Sequence, residues 1–308
     1  MFSGISPEAS SLNKRPRIRS GLDGSSLKLG VYVGGDASRE ILLRSGCAFG
    51  KGDGTMALVF LDLDGTLLDT GVPSASTLAA IARLKANGHE PIIASGRTPH
   101  LLYGIDRILG IESAITANGN YINYRGETIY ERYVPERVVT KMAQLSDEMG
   151  FDVVFEGVDA YVAYSRKGEK VDQFSRTFNL EIPVLNRTYH LHNPLLAFIV
   201  FDDHVVDHLR ETFPELVFSP SSRFGYDVNL RGDLKAEGVR WLIKYLQYPE
   251  DQVYAIGDGA NDISMIKTVA HGIAMGNGFP ELKAVASYVT TSVQEDGVPN
   301  ALKHFGLI

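Results

Sequence analysis

Two acids two residues apart, Asp62 and Asp64, end the apolar run Ala57-Leu58-Val59-Phe60-Leu61 and are followed by Gly65 and Thr66. In extended chain, residues i and i+2 lean to one side, so both carboxylates point the same way. Burying unpaired charge is costly, so a strand ending in paired acids implies something that neutralises them. Gly65 lets the backbone turn sharply and Thr66 adds a short hydroxyl donor. A hard cation beside a phosphate suits this set. A second acidic stretch, Gly257-Asp258-Gly259-Ala260-Asn261-Asp262, follows a second apolar run, Gln252-Val253-Tyr254-Ala255-Ile256. Ser95-Gly96-Arg97 and Asn118-Gly119 end two further short apolar runs.

These runs read as strands buried on both faces, the pattern of a parallel sheet covered by helices. Helix-length segments separate them. Ser74 or Ser76 caps a helix to about Asn87, with Leu78, Ile81, Ala82 and Leu84 on one face. Strands follow at 91–94 and 115–117, with a helix over 101–109 between them and a hairpin over 121–130 after them. Later, Lys235 opens a helix through Gln247, and strands at 252–256 and 272–276 alternate with further helices. Such alternation implies right-handed crossovers and a parallel sheet, which binds ligands at the carboxyl ends of its strands. The middle breaks the alternation. A helix over 136–149, strands at 151–156, 160–165 and 195–201, and more helices and strands after them predict a separate α+β module over 136–224.

The 308 residues have ordinary soluble globular composition, 44% hydrophobic and 22% charged. No apolar run reaches the roughly 18–20 residues of a membrane span. A net charge of −7 argues against nonspecific nucleic-acid binding. It permits an anionic small substrate, because a metal ion and one lysine can reverse the local field. The single cysteine, Cys47, allows no internal disulfide, which fits a reducing cytoplasm, the expected location. Residues 1–55 hold 10 of the 31 glycines and no sustained period. They read as a disordered or non-native leader, with Met56 as a natural start. His190-Leu191-His192 reads as surface or packing residues, and Asp202-Asp203 as a helix start.

With these residues in hand, the chain from Met56 onward resembles the haloacid dehalogenase superfamily, and within it the Cof-type hydrolases of subclass IIB. Four motifs stand in the family's order: Asp62-Leu63-Asp64-Gly65-Thr66, Ser95-Gly96-Arg97, Lys235, and the 257–262 loop. One departure is that Ala236-Glu237-Gly238, rather than glycine directly, follows Lys235. Only 28 residues separate Thr66 from Ser95, whereas 139 separate Ser95 from Lys235, so a cap domain must lie in the second interval. The resemblance implies an α/β fold: a Rossmann-like doubly wound parallel sheet core over 56–135 and 225–308, with an inserted α+β cap over 136–224.

The resemblance also implies roles. Asp62 would be the nucleophile, giving an aspartyl-phosphate, and Asp64 the acid and then the base. Mg2+ would sit between Asp62, the backbone carbonyl of Asp64 and Asp258, with Asn261 and Asp262 supporting the metal loop. Thr66, Ser95 and Lys235 would hold the phosphoryl oxygens. Arg97 and Asn118 would lie on the substrate side. The expected activity is Mg2+-dependent hydrolysis of small organic phosphate monoesters, sugar phosphates among them. A phosphomutase of the same superfamily is the alternative, and a noncatalytic binding protein on this fold is the third reading. The expected partner is a small phosphorylated metabolite, with no nucleic acid and no membrane. Nothing in the chain fixes an oligomeric state.

Overall fold

The computed structural model describes residues 56–308 apart from 222 and 233, so the leader expected over 1–55 lies outside the described residues. The fold begins with β1 (Leu58–Leu61), buried along its whole length. α1 (Ala75–Ala86) follows, capped by the Ser74 hydroxyl, which accepts from Thr77 N; Ala80, Ile81 and Leu84 form its buried stripe. β2 (Glu90–Ala94) returns parallel to β1. The helix expected over 101–109 is broken. A single 3-10 turn at His100–Leu102 precedes α2 (Ile105–Leu109), because Tyr103 and Gly104 between them are left-handed, with φ of 49° and 77°. That conformation ends the helical hydrogen-bond ladder. β3 (Ala114–Thr116) is parallel to β2, and the antiparallel β4 (Tyr121–Tyr124) and β5 (Glu127–Glu131) finish that edge.

The chain then builds a second sheet. In order come α3 (Glu136–Met149), β6 (Val153–Glu156), β7 (Tyr161–Ser165), α4 (Lys170–Thr177), β8 (Val184–Leu185), β9 (Ala197–Val200), α5 (Asp203–Thr212), β10 (Leu216–Pro220) and β11 (Tyr226–Leu230). Their strand order is β10-β11-β9-β6-β7-β8. α3 and α5 cover one face, where Val138, Met142, Val205 and Leu209 pack with Val153, Phe155, Phe198 and Val228. The other face carries Val154, Tyr161, Ala163 and Ile199 and packs with Leu101 from the first half of the chain. This α+β unit is the inserted cap. β11 lies inside it, paired antiparallel to both β10 and β9, so the cap extends to Leu230 and does not end at 224 as expected. The ladder partners of β11 are cap strands, and its backbone groups would go unpaired in the core.

α6 (Leu234–Leu246) returns the chain to the first sheet, followed by β12 (Val253–Gly257), α7 (Ile263–Thr268), β13 (His271–Ala274), α8 (Pro280–Val285), β14 (Tyr288–Val289) and α9 (Gly297–His304). The order is β14-β13-β12-β1-β2-β3-β4-β5, with the first six strands parallel. α1 and α9 cover one face through Ile81, Leu84, Val298 and Leu302 over Val59, Leu61 and Ile256. α6 packs on the other, so closely that a side chain at Gly238 would meet Gly119 Cα at 2.9 Å. This is a Rossmann-like α/β core. The chain leaves β1 toward β2 in its first half and adds β12 on the opposite side in its second. The order therefore reverses between β1 and β12, the crevice where such sheets bind ligands. No described helix is long and apolar enough to cross a membrane.

Candidate active site

The reversal brings together acids about 200 positions apart in the chain. Asp62 N donates to Ile256 O at 3.0 Å, which pins the end of β1 against β12. Asp62 is buried, and its Oδ1 accepts from Lys235 Nζ at 2.7 Å. Lys235, in the first turn of α6, is only 2% exposed and also donates to Asp262 Oδ1 at 2.5 Å. Asp262 uses its second oxygen to accept from the backbone N–H groups of Asp258 and Gly259, at 3.0 and 2.9 Å. One carboxylate thus folds the 257–262 loop and anchors the lysine.

The charges do not balance. Asp62, Asp258 and Asp262 offer oxygens within 4.8 Å of one another, against a single ammonium. Burial pushes the Asp62 carboxyl well above the ordinary aspartate range, the charge of Asp262 adds to this, and Lys235 opposes it. Burial likewise pushes Asp258 up to about 6, against a hydrogen bond from Thr66. For Lys235, burial favours the neutral amine, but Asp262 and Asp62 outweigh it and hold its pKa above the ordinary lysine value. Three hard oxygen donors short of positive charge fit a divalent cation. Both oxygens of Asp262 are committed within the protein, so Asp62 and Asp258 are the residues best placed to hold one.

Gly65 makes room for this pocket. Its φ is +82°, and a Cβ there would lie 2.2 Å from Asp258 Oδ2. Thr66 is buried and donates to Asp258 Oδ1 at 2.9 Å, so its hydroxyl serves the acid loop. Ser95, at the end of β2, is buried, and its Oγ accepts from Arg97 N at 3.2 Å. Asp64 stands outside the acid cluster. Its side chain is 57% exposed and bonded to Arg97, so any share in a metal site falls to its backbone carbonyl. Asn118, left-handed at φ 52°, accepts from Asn261 Nδ2 at 3.3 Å, which joins the expected substrate side to the metal loop. His190 packs edge-on against Phe155 and Tyr164.

The profile of the family described as haloacid dehalogenase-like hydrolase matches residues 59–302. The chain belongs to the haloacid dehalogenase-like hydrolases. Among relatives of this hydrolase, YkrA of Bacillus subtilis (strain 168) is 34% identical over 253 residues, covering 82% of this chain and 98% of that protein. The 5-amino-6-(5-phospho-D-ribitylamino)uracil phosphatase YitU of the same strain is 28% identical over 269 residues, covering 80% and 97%. Two solved structures are similar. A hypothetical protein of Geobacillus kaustophilus HTA426 matches with a TM-score of 0.79 and 31% identity, over 82% of this chain and all of that one. The subclass IIB sugar phosphatase BT4131 matches at 0.70 and 29%, with the same coverage.

Sequence reasoning passed over Asn277 in this hydrolase. Its Nδ2 donates to Gly65 O at 2.8 Å, and its Oδ1 accepts from Val293 N at 2.9 Å. It thereby ties the turn after β1 to the loop before α9. Asn277 closely follows β13, so the strand-end rule that found Asp62 and Asp258 applies to it too. Glu156, a buried acid of the cap, and the half-buried Asp227 were also passed over.

Proposed function

We propose that this hydrolase is a phosphatase that uses Mg2+ to cleave small organic phosphate monoesters, sugar phosphates among them, through an aspartyl-phosphate on Asp62. The observation that carries the reading is the buried Asp62 carboxylate, held by Lys235 beside Asp258 at the crevice between β1 and β12. The names of YitU and BT4131, a ribitylamino phosphatase and a sugar phosphatase, support the substrate class.

In the proposed reaction an oxygen of Asp62 attacks phosphorus and the bond from phosphorus to the leaving oxygen breaks. Asp64 gives its proton to that oxygen, and the phosphoryl group stays on Asp62. Water then attacks phosphorus, Asp64 takes a proton from it, and phosphate departs as Asp62 is restored. Lys235 and Ser95 steady the phosphoryl oxygens as charge redistributes, while the Thr66 hydroxyl stays on Asp258 Oδ1. Arg97 holds Asp64 in one orientation. Asp62 and Asp258 would hold Mg2+, which would supply the positive charge that lets an anionic nucleophile meet an anionic ester.

Phosphate release from p-nitrophenyl phosphate, with and without Mg2+, tests this beside Asp62→Asn. The expected result is metal-dependent release that the substitution abolishes. Equal release by folded wild type and Asp62→Asn would remove Asp62 from the chemistry.

A further inference from the structure

The segment after Arg97 is wedged between core and cap. It makes one 3-10 turn over His100–Leu102, in which Leu101 N donates to Thr98 O, Leu102 N to Pro99 O and Tyr103 N to His100 O. Adjacent leucines of this turn enter opposite domains. Leu102 packs in the core with Ile93 and Ile105, whereas Leu101 packs with Val154, Tyr161, Phe174 and Ile199 of the cap. Both leucines are buried. Tyr103 ends the turn at φ 49°, a conformation that bulky side chains rarely adopt. Its hydroxyl accepts from the backbone N–H of Glu181, in the cap, at 3.4 Å.

The same turn reaches the acid of the site. Leu101 O accepts from Arg97 Nη1 at 3.2 Å, while Nε and Nη2 of that guanidinium hold the two oxygens of Asp64. The backbone of Arg97 is fixed by the core, since its N donates to Ser95 Oγ at 3.2 Å and its O accepts from Ala117 N at 2.7 Å. The guanidinium, four bonds further out, takes its place from Asp64 and from Leu101 O. The Asp64 side chain is 57% exposed, so its orientation follows that of its clamp. An unbroken series of contacts therefore runs from the cap sheet through Leu101 and Arg97 to Asp64. Packed side chains and hydrogen bonds of this kind carry coupling when they have discrete arrangements. Unusual backbone held in place by its surroundings is common in elements that switch.

We propose that Leu101 and Tyr103 are positioning residues that align Asp64 through Arg97, and that they do so only while the cap is seated on them. The inference rests on the phosphatase reading above and states how its acid is controlled. With the cap lifted, Leu101 would be uncovered and the Tyr103 hydroxyl would lose Glu181 N–H. The turn would then relax, carrying Leu101 O away from Arg97 Nη1. Asp64 is thus oriented to give its proton only when the cap covers the crevice. Coupling is reciprocal, so loss of the Arg97 side chain also loosens the cap on this turn.

The test compares two esters in Mg2+: glycerol 2-phosphate, whose alkoxide must be protonated, and p-nitrophenyl phosphate, whose leaving group needs no proton. Leu101→Ala keeps the carbonyl but removes the cap contact. It is expected to lower kcat on glycerol 2-phosphate about tenfold, with less than about threefold change in KM or in turnover of p-nitrophenyl phosphate. Leu101→Met should restore most of the loss, and Tyr103→Phe should move the ratio of the two activities the same way. In Arg97→Ala, where the series is already broken, adding Leu101→Ala should change that ratio by less than about twofold. Equal losses on the two esters, or a full further fall in the ratio in Arg97→Ala, would overturn the proposal. Amide hydrogen exchange gives a reading free of activity. Exchange over residues 178–185, which include Glu181, is expected to speed up about tenfold in Arg97→Ala. If it does so while wild type hydrolyses neither ester, the coupling stands and the phosphatase reading falls. If Mg2+-dependent release is lost in Asp62→Asn while the exchange and the ester ratio do not respond, the phosphatase reading stands and the coupling falls.

Discussion

Arg97 grips both oxygens of Asp64, with Nε 2.8 Å from Oδ2 and Nη2 2.5 Å from Oδ1. A third guanidinium contact, Nη1 to Leu101 O at 3.2 Å, fixes the arginine itself. The pair is open to solvent, so it adds at most about 1 kcal/mol to the fold. Its value is orientation, because a planar fork sets the plane of the carboxylate it holds. Arg97→Ala is therefore expected to slow hydrolysis of an alkyl phosphate about 10- to 100-fold. The loss should be smaller on p-nitrophenyl phosphate, whose leaving group departs without a proton. Melting temperature should stay within a few degrees of wild type, roughly the shift that 1 kcal/mol produces. Equal losses on the two esters would separate Arg97 from proton transfer.

Gly65→Ala tests the room made for Asp258. The new methyl would have to occupy a point 2.2 Å from Asp258 Oδ2 and 2.7 Å from its Cγ, on a backbone held at φ +82°. The strain alone is about 1–3 kcal/mol, and the neighbour that must move is an acid of the pocket. The Mg2+ concentration for half-maximal activity is expected to rise about 10-fold or more. A titration of activity against Mg2+ reads this directly. An unchanged midpoint would mean that Asp258 does not hold the metal.

The acids of the pocket were legible because each ends a continuous apolar run, a local pattern with a physical reason. That they share one site was implied by the family resemblance, not by a local pattern. Lys235 was different. A buried lysine has no local signature, and only the resemblance picked it out; its position between Asp62 and Asp262 comes from tertiary packing. The helix expected over 101–109 broke at Tyr103 and Gly104, where left-handed backbone ends the helical hydrogen-bond ladder. Residues 226–230 read as a strand, but a strand does not encode its sheet; β9 and β10 decided that. Glu156-Gly157 repeats the acid-then-glycine ending of Asp64-Gly65, yet in sequence it passed for an ordinary hairpin turn.

Lys235→Met removes the ammonium that bridges the buried carboxylates of Asp62 and Asp262. Breaking a buried pair from one side leaves uncompensated charge and destabilises by about 3–5 kcal/mol. Without metal the variant should unfold at clearly lower urea than wild type. Added Mg2+ should raise its midpoint more than it raises that of wild type, because the cation replaces part of the missing charge. Equal responses to Mg2+ in the two proteins would show that the metal and the lysine do not share these acids.

Glu156 makes the stability of the metal-free protein depend on pH in a defined direction. Its carboxyl is pushed up to about 8 by burial and by Asp227, against an ordinary value of 4.5. Between those values the folded chain keeps a proton that the unfolded chain has lost. Stability tied to this group is therefore full below about pH 4.5 and declines as pH rises through 8. Asp227, at about 6, acts in the same sense but is finished earlier. The unfolding free energy read from urea titrations should fall between pH 5 and 8 by an amount on the order of a few kcal/mol. Glu156→Gln keeps the size and removes the titration, so it should flatten the part of that slope above pH 6. Asp62 and Asp258 also titrate with raised values, but they do so in both proteins and cancel in the difference. Superimposable slopes for wild type and Glu156→Gln would mean that Glu156 is ionised in the folded cap.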